Sequence, residues 1–507
     1  MTLSILIWLP LVAGLLAAIW GGKAAPKLYA LGALATLAIA ISFVARFDAG
    51  HDGLQFVTDE AWISQLGVSY HLGMDGLNVV LVLLTAFVFA AAALMANLRR
   101  WERPGLFYFH LALGETAVLG AFLAQDLILF VAFFDLMLIP FYFLTGIWGS
   151  GDRAARVRAT QKLVIYTMVG SLLMLAAAIA TGVLAASQHD TELTFSFAAL
   201  RALPLAEGTQ QWIFLCFAAA FLVKMPAFPL HGWLRDGYGA MPLPALAAFS
   251  GVLSKVAAYG FLRIALPIFP DASVHFQELL LLIAVASILY GSVMAFSQGS
   301  ARLVVAYSSV AQMGFITLGI FALNEDGAQG ALLQMVNHGV VTAPLFFIVG
   351  LLAARAGSEQ LRDMGGLAFR APVLATLFLI VALATLAMPG SGNFVGELLI
   401  LLGAFKAKVV FAFVASIGVA LASVYMLRAF IKAMHGRVNP GADSREVTFG
   451  DLVALVPAVA VILALALYPQ FGLERTETSA KQAVAAVQQQ TGQLAAAAHQ
   501  PSQEQTP

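Results

Sequence analysis

Apolar residues in this chain come in runs of about 20, separated by short polar stretches, rather than at the three-to-four-residue spacing of a soluble helix. Taking about 20 residues per crossing, the runs predict about fourteen membrane-spanning helices. They lie at 3–20, 28–46, 75–97, 106–123, 125–147, 163–186, 211–230, 242–267, 276–297, 300–322, 329–353, 371–405, 409–434 and 451–470. The first run lacks the basic start of a signal peptide and is expected to stay as a spanning helix. Two runs carry their own breaks. In the seventh, Lys224-Met-Pro-Ala-Phe-Pro-Leu-His231 places two prolines inside the apolar stretch. In the twelfth, Met388-Pro-Gly-Ser-Gly-Asn393 splits an overlong segment into half-helices, because proline removes a helical donor and clashes with the preceding turn. The predicted class is an all-α polytopic membrane protein with two broken helices.

Loop charges give an orientation. Arg99, Arg100, Arg103, Arg153, Arg156, Arg158, Arg302, Arg355, Arg362, Arg370, Arg437 and Arg445 follow odd-numbered spans. Asp48, Asp52, Asp59, Glu60, Asp190, Glu192, Asp271 and Glu325 follow even-numbered ones. Since Lys and Arg stay cytoplasmic, both termini are expected on the other side. Lys406 and Lys408 are the exception. The two breaks also align with each other: Lys224-Met-Pro226 answers Ala387-Met-Pro389 five spans later, and Tyr259-Gly-Phe-Leu-Arg263 answers Tyr425-Met-Leu-Arg428. This pattern predicts two inverted five-helix repeats. The expected divisions are 1–105, a first repeat over 106–267, a second over 276–434, a last span at 451–470, and a polar tail at 471–507. Within that tail Val484–Ala498 reads as a frayed helix and His499–Pro507 as disordered.

Composition narrows the function. Apolar residues make up 61% of the chain and charged residues 11%, against roughly 25% charged in soluble domains. Net charge is zero and the basic residues are dispersed, so no nucleic-acid partner is expected. Cys216 is the single cysteine, too few for an iron–sulfur cluster. No phosphate-binding glycine loop is present, so neither cofactor nor metal is expected.

The chemistry rests on ionisable residues within the apolar runs, where an unpartnered charge costs at least about 2.5–3.5 kcal/mol. Asp135 lies mid-run and needs a partner from another helix, for which Lys224 is the natural candidate. Lys255 sits in Ser250-Gly-Val-Leu-Ser-Lys255, and a lysine can gain and lose a proton where an arginine cannot. Glu397 follows the second break by four residues, close to the positive end of a half-helix, and could equally cap it. His338 can relay protons or be held as a structural hydrogen-bonding group, and the same two readings apply to His231 at the first break. Glu115 is an entry group or an internal hydrogen-bonding residue. His110, Arg263 and Arg428 are expected at the membrane interface, and Asp75 and Asp126 as helix caps.

Several motifs occur in order: Met74-Asp-Gly-Leu77, Ile139-Pro-Phe-Tyr-Phe-Leu-Thr-Gly-Ile-Trp-Gly149, Lys224-Met-Pro-Ala-Phe-Pro-Leu-His-Gly-Trp-Leu234, Leu253-Ser-Lys-Val-Ala-Ala-Tyr-Gly-Phe-Leu-Arg263, Ala306-Tyr-Ser-Ser-Val-Ala-Gln-Met-Gly314 and Met388-Pro-Gly-Ser-Gly-Asn-Phe-Val-Gly-Glu397. Together they resemble the M-type antiporter-like membrane subunit of bacterial respiratory complex I. The resemblance implies a bacterial inner-membrane, proton-translocating subunit of an NADH-quinone oxidoreductase, with redox chemistry and cofactors held elsewhere in the complex. It implies Asp135 and Lys224 as an acid–lysine pair, Lys255 as the central lysine, His338 as a relay and Glu397 as the exit acid. Its partners would be neighbouring antiporter-like subunits, the lateral helix of the L-type subunit, and lipid. Only about 35 residues follow the last span, too few for such a lateral helix here.

Departures accompany the likeness. Aspartate at position 135 replaces the family's usual glutamate, so contact with Lys224 is expected to need a bridging water. Gln312 occupies a place where histidine is common and is expected, with water, to bridge the relay. The loop Leu234-Arg-Asp-Gly-Tyr-Gly-Ala-Met-Pro242 departs from the family wording, and Pro344 is unusual. The alternatives are a subunit of a sodium/proton antiporter or energy-converting hydrogenase, and a structural spacer with weakened pumping.

Overall fold

In the computed structural model, residues 2–437, 443 and 445–498 are described, the last six of these by backbone alone. The described chain is a bundle of helices. In chain order they are α1 (Leu3–Trp20), α2 (Ala25–Arg46), α3 (Val79–Asn97), α4 (Pro104–Leu123), α5 (Leu127–Trp148) and α6 (Arg153–His189). Next come α7 (Glu207–Lys224), α8 (Leu234–Ala240), α9 (Leu243–Ile268), α10 (Gln277–Ser297), α11 (Ala301–Ile320) and α12 (Glu325–Ala356). The last are α13 (Pro372–Thr385), α14 (Gly392–Ala407), α15 (Val409–Met434), α16 (Phe449–Leu467) and α17 (Gln470–Ala498). Among the described residues, twelve helices are long and apolar enough to cross a membrane. The broken pairs α7–α8 and α13–α14 lie outside that number.

The breaks follow from local chemistry. Helix α7 stops at Lys224 because Pro226 cannot donate to the preceding turn. The Trp233 indole N–H closes the end by donating to the Val223 carbonyl at 3.1 Å. Between α13 and α14, Ala387 takes a positive φ of 53° and Gly390 one of 93°, and the Ser391 hydroxyl then caps α14 by accepting from the Phe394 N–H. A smaller interruption at Met137 divides α5, three residues before Pro140. Helix α9 is regular except for two wide π turns, Phe249–Leu253 and Phe261–Ala265, one on each side of Lys255. Pro344 sits within α12, which continues through it.

Two elements differ from expectation. The all-α reading missed an antiparallel hairpin, Gln55–Ile63 with Val68–Met74, paired through Thr58 with Leu72 and Ala61 with Ser69. It is tied to the bundle where the His71 carbonyl accepts from Gln125 N–H and Asp126 accepts from Ser69 N–H. The tail is also more ordered than its composition suggested: α17 begins at Gln470, and Thr476, Ala480, Ala483, Val484 and Val487 form a buried stripe at helical spacing. The stretch His499–Pro507 lies outside the described residues.

Close packing relies on small residues, which let helix backbones meet directly. A Cβ on Gly403 of α14 would lie 2.5 Å from the Gly327 nitrogen of α12, and one on Gly330 would lie 2.7 Å from the Ile400 nitrogen. Gly403→Ala should therefore destabilise the chain by about 1–3 kcal/mol. Gly208→Ala, with nothing within 4 Å, should leave stability unchanged. Thermal unfolding of both variants in detergent checks the contrast.

Candidate functional site

Lys255 is fully buried on α9, just after the first π turn. Its ammonium donates to the Ser250 carbonyl at 2.6 Å, and Nζ lies 2.6 Å from His338 Nδ1 on α12. A π turn leaves carbonyls out of regular helical register, which is how Ser250 can accept from a side chain five residues on. A lysine ammonium can only donate, so Nδ1 accepts when Lys255 is protonated. One proton is thereby held between two groups able to exchange it.

From His338 the polar residues continue along α12. Gln334 lies one turn away and donates to Gln312 Oε1 at 2.6 Å, while Gln312 Nε2 donates to Glu397 Oε1 at 2.8 Å. Gln334 Nε2 also lies 3.5 Å from that carboxylate oxygen. Gln312 thus occupies a bridging position, and Glu397 bonds to an amide instead of capping α14, a task taken by Ser391. Beside them, Ser250 and Ser309 hydroxyls meet at 3.1 Å, and Ser308 meets the Tyr425 hydroxyl at 2.8 Å. Gln334 Oε1, Asn337 Oδ1 and Glu397 Oε2 are buried and make no hydrogen bond to the described protein.

The expected Asp135–Lys224 ion pair is not formed directly. Lys224 instead donates to the Phe134 carbonyl at 2.7 Å, with Nζ 3.7 Å from the centroid of the Phe134 ring. The break in α5 helps explain this, because it leaves carbonyls near Asp135 available, and the last turn of α7 adds its own negative end. Asp135 remains near enough to Lys224 for their charges to interact, and its Oδ1 makes no hydrogen bond. Beyond Lys224 the rings form a chain: Phe134 faces Phe221 at 6.0 Å, and Phe221 faces Phe261, six residues after Lys255 on α9, at 5.1 Å. Among the described residues no hydrogen bond joins the two lysines.

The remaining candidates lie apart from these groups. Glu115 is fully buried on α4 and accepts from the Tyr29 hydroxyl at 3.0 Å, with Oε1 unbonded. His231 is half-buried in the first break, its ring 4.6 Å from that of Tyr290 and its Nδ1 unbonded. No hydrogen bond among the described residues ties either to Lys255 or Glu397.

One interfacial assignment is corrected. Arg263 is buried and donates to Asp75 Oδ1 at 2.5 Å and to the Tyr259 hydroxyl at 2.9 Å. Asp75 also accepts from the Leu77 N–H, so it holds its own turn and a distant helix at once. His110 is buried and pairs with the Leu106 carbonyl. Asp126 caps α5 as expected, accepting from Ile128 and Leu129. Gln334, Ser250, Ser309 and Tyr425 went unnoticed in the sequence because uncharged polar residues in apolar helices are common. Their spacing relative to the charged residues was the available signal: Gln334 precedes His338 by one turn, and Ser250 precedes Lys255 by five residues.

Comparison with known proteins establishes the family. A family model described as "NADH:quinone oxidoreductase/Mrp antiporter, TM" matches residues 124–422. The chain belongs to that family. It is 34% identical to NADH-quinone oxidoreductase subunit M of Rickettsia typhi, over 92% of this chain and 95% of the relative. Among solved structures it is similar to a chain of respiratory complex I from Thermus thermophilus, at 31% identity and a TM-score of 0.88, covering 96% of this chain and all of that one. A chain of the Mrp complex from Dietzia is 25% identical with a TM-score of 0.81, covering 96% of this chain and 98% of that one. Within the family the chain is an antiporter-like membrane subunit of the M type.

The buried Asp75–Arg263 pair gives a stability test. Arg263→Met leaves a buried carboxylate unpaired and should cost about 3–5 kcal/mol, and the double change with Asp75→Asn should recover part of it. Thermal unfolding in detergent measures both.

Proposed function

We propose that this chain is a proton-translocating membrane subunit of a complex I-type NADH-quinone oxidoreductase. The oxidoreductase activity belongs to the complex, and this chain carries no redox step. The observation that carries the reading is the buried Lys255–His338 contact, continued through Gln334 and Gln312 to Glu397. Buried polar atoms normally find a partner, so Gln334 Oε1, Asn337 Oδ1 and Glu397 Oε2 are the places where internal water completes the path.

In this reading Lys255 is the central proton carrier, His338 its relay and Glu397 the exit acid. A change in the Asp135–Lys224 contact alters the proton affinity of Lys255 and moves its proton towards Glu397. With no hydrogen bond joining the two lysines among the described residues, this coupling is electrostatic and conformational. Glu115 is assigned an entry role and His231 a relay role at the first break. The matching breaks at Lys224–Pro226 and Ala387–Pro389 support two inverted five-helix repeats, with both termini outside the cytoplasm. Partner subunits are neighbouring antiporter-like chains and the lateral helix of the L type.

Lys255→Ala in the assembled complex should lower proton pumping, and quinone reduction coupled to it, by about 10²-fold or more. Wild-type rates in inverted membrane vesicles would defeat the proposal. Gln312→Leu removes the amide donor to Glu397 and should slow pumping by about tenfold while the complex still assembles. A proton-to-electron ratio unaltered by both changes would instead favour the spacer reading. The Mrp likeness supports sodium/proton antiport as a second reading. Sodium takes oxygen ligands, and buried carboxylates are sparse in this bundle, so that reading ranks second.

A further inference from the structure

At the arginine-rich end of the bundle, a cavity of about 290 Å³ opens between α6, α8 and the start of α11. Arg158, Arg235, Asp236, Ser150 and Leu303 are among the residues lining it. Its walls are fixed. The buried Arg302 guanidinium donates to the carbonyls of Tyr238, Gly239 and Met241 and forms an ion pair with Glu359. On the other wall, Ser150 N–H donates to the Ala240 carbonyl at 2.6 Å. The cavity's one carboxylate, Asp236, is already paired with Lys162. Arg158 and Arg235, by contrast, form no hydrogen bond or ion pair with a described residue. The lining therefore carries two exposed guanidinium groups with no carboxylate partner in the described protein.

We infer that this cavity binds the phosphate of an anionic phospholipid. Arginine is the side chain best matched to a phosphate, and basic pockets between spanning helices on the cytoplasmic side favour such headgroups. A lipid is indicated rather than a soluble phosphate by what adjoins the cavity. Val157, Ile165, Val169 and Leu172 are all exposed along α6, forming an apolar strip at helical spacing that leads away from Arg158. A phosphate held between Arg158 and Arg235 places acyl chains along that strip. The inference rests on the membrane placement and on the orientation read from the loop charges, and is independent of the proton path.

The test uses the full chain purified in mild detergent and incubated with phosphatidylglycerol or phosphatidylcholine, with retained lipid counted by native mass spectrometry. Phosphatidylglycerol should be retained and phosphatidylcholine not. The double variant R158Q/R235Q should weaken retention by about tenfold or more, and R158K/R235K, which keeps both charges, should restore most of it. Equal retention of the two lipids, or undiminished retention by R158Q/R235Q, overturns the proposal. Displacement of the retained lipid by equimolar inorganic phosphate would show a soluble-phosphate site, which also overturns it. So would shielding of both arginines from an arginine-specific reagent in the lipid-free assembled complex, because a neighbouring subunit would then be the occupant.

Discussion

Hydrocarbon cannot solvate a polar group, so each donor, acceptor and charge in this bundle must be matched from within the protein. That requirement accounts for most of what is irregular in the fold. Where α7 stops, its last carbonyls are met by Trp233 and its terminal lysine finds the Phe134 carbonyl and ring. Where α9 widens, Lys255 takes up a carbonyl of its own helix and reaches across to His338. Where α13 ends, Ser391 starts α14 afresh, leaving Glu397 free to bond with Gln312. The departures from regular helix are concentrated beside the ionisable groups.

The two halves of the interior answer the constraint differently. Around Lys224 the surroundings are aromatic, and the cation is held by a carbonyl and a π face. Around Glu397 they are amides and hydroxyls: Gln312, Gln334, Asn337, Ser308 and Tyr425. The first environment holds a charge in place with few groups that could carry its proton away. The second offers a succession of donors and acceptors. Lys255 belongs with the second, meeting the Ser250 carbonyl and His338.

Much of this was visible in the sequence, for physical reasons that can be named. The spans were legible because lipid demands unbroken apolar length, and the two breaks because proline and glycine act locally. The charged members of the site stood out against an apolar background. What escaped depended on contacts between distant segments. Arg263 looked interfacial by its place near a helix end, yet Asp75, far earlier in the chain, reaches it in the interior. Asp135 and Lys224 looked set to meet through water, but nothing in the sequence signalled that a backbone carbonyl one residue from the aspartate would take the ammonium. The tail looked frayed because its buried stripe is largely alanine and valine, which gives a weak periodic signal. Its docking is confirmed by the Ser479 hydroxyl, which accepts from Gly76 N–H, and by the Leu473 carbonyl, which accepts from Gln329.

The seam between α12 and α14 has a consequence for motion. At Gly327–Gly403 and Gly330–Ile400 the two backbones touch with no side chain between them to act as a bearing. Sliding one past the other would drive main chain into main chain, so the pair moves as one solid piece. His338, Gln334 and Glu397 are all mounted on that piece, and their anchoring points keep constant separations whatever the rest of the bundle does. Under the proposed coupling, a change on the Lys224 side would reset them through torsions of individual side chains or the reorientation of water, events that need far less displaced volume than the travel of a helix.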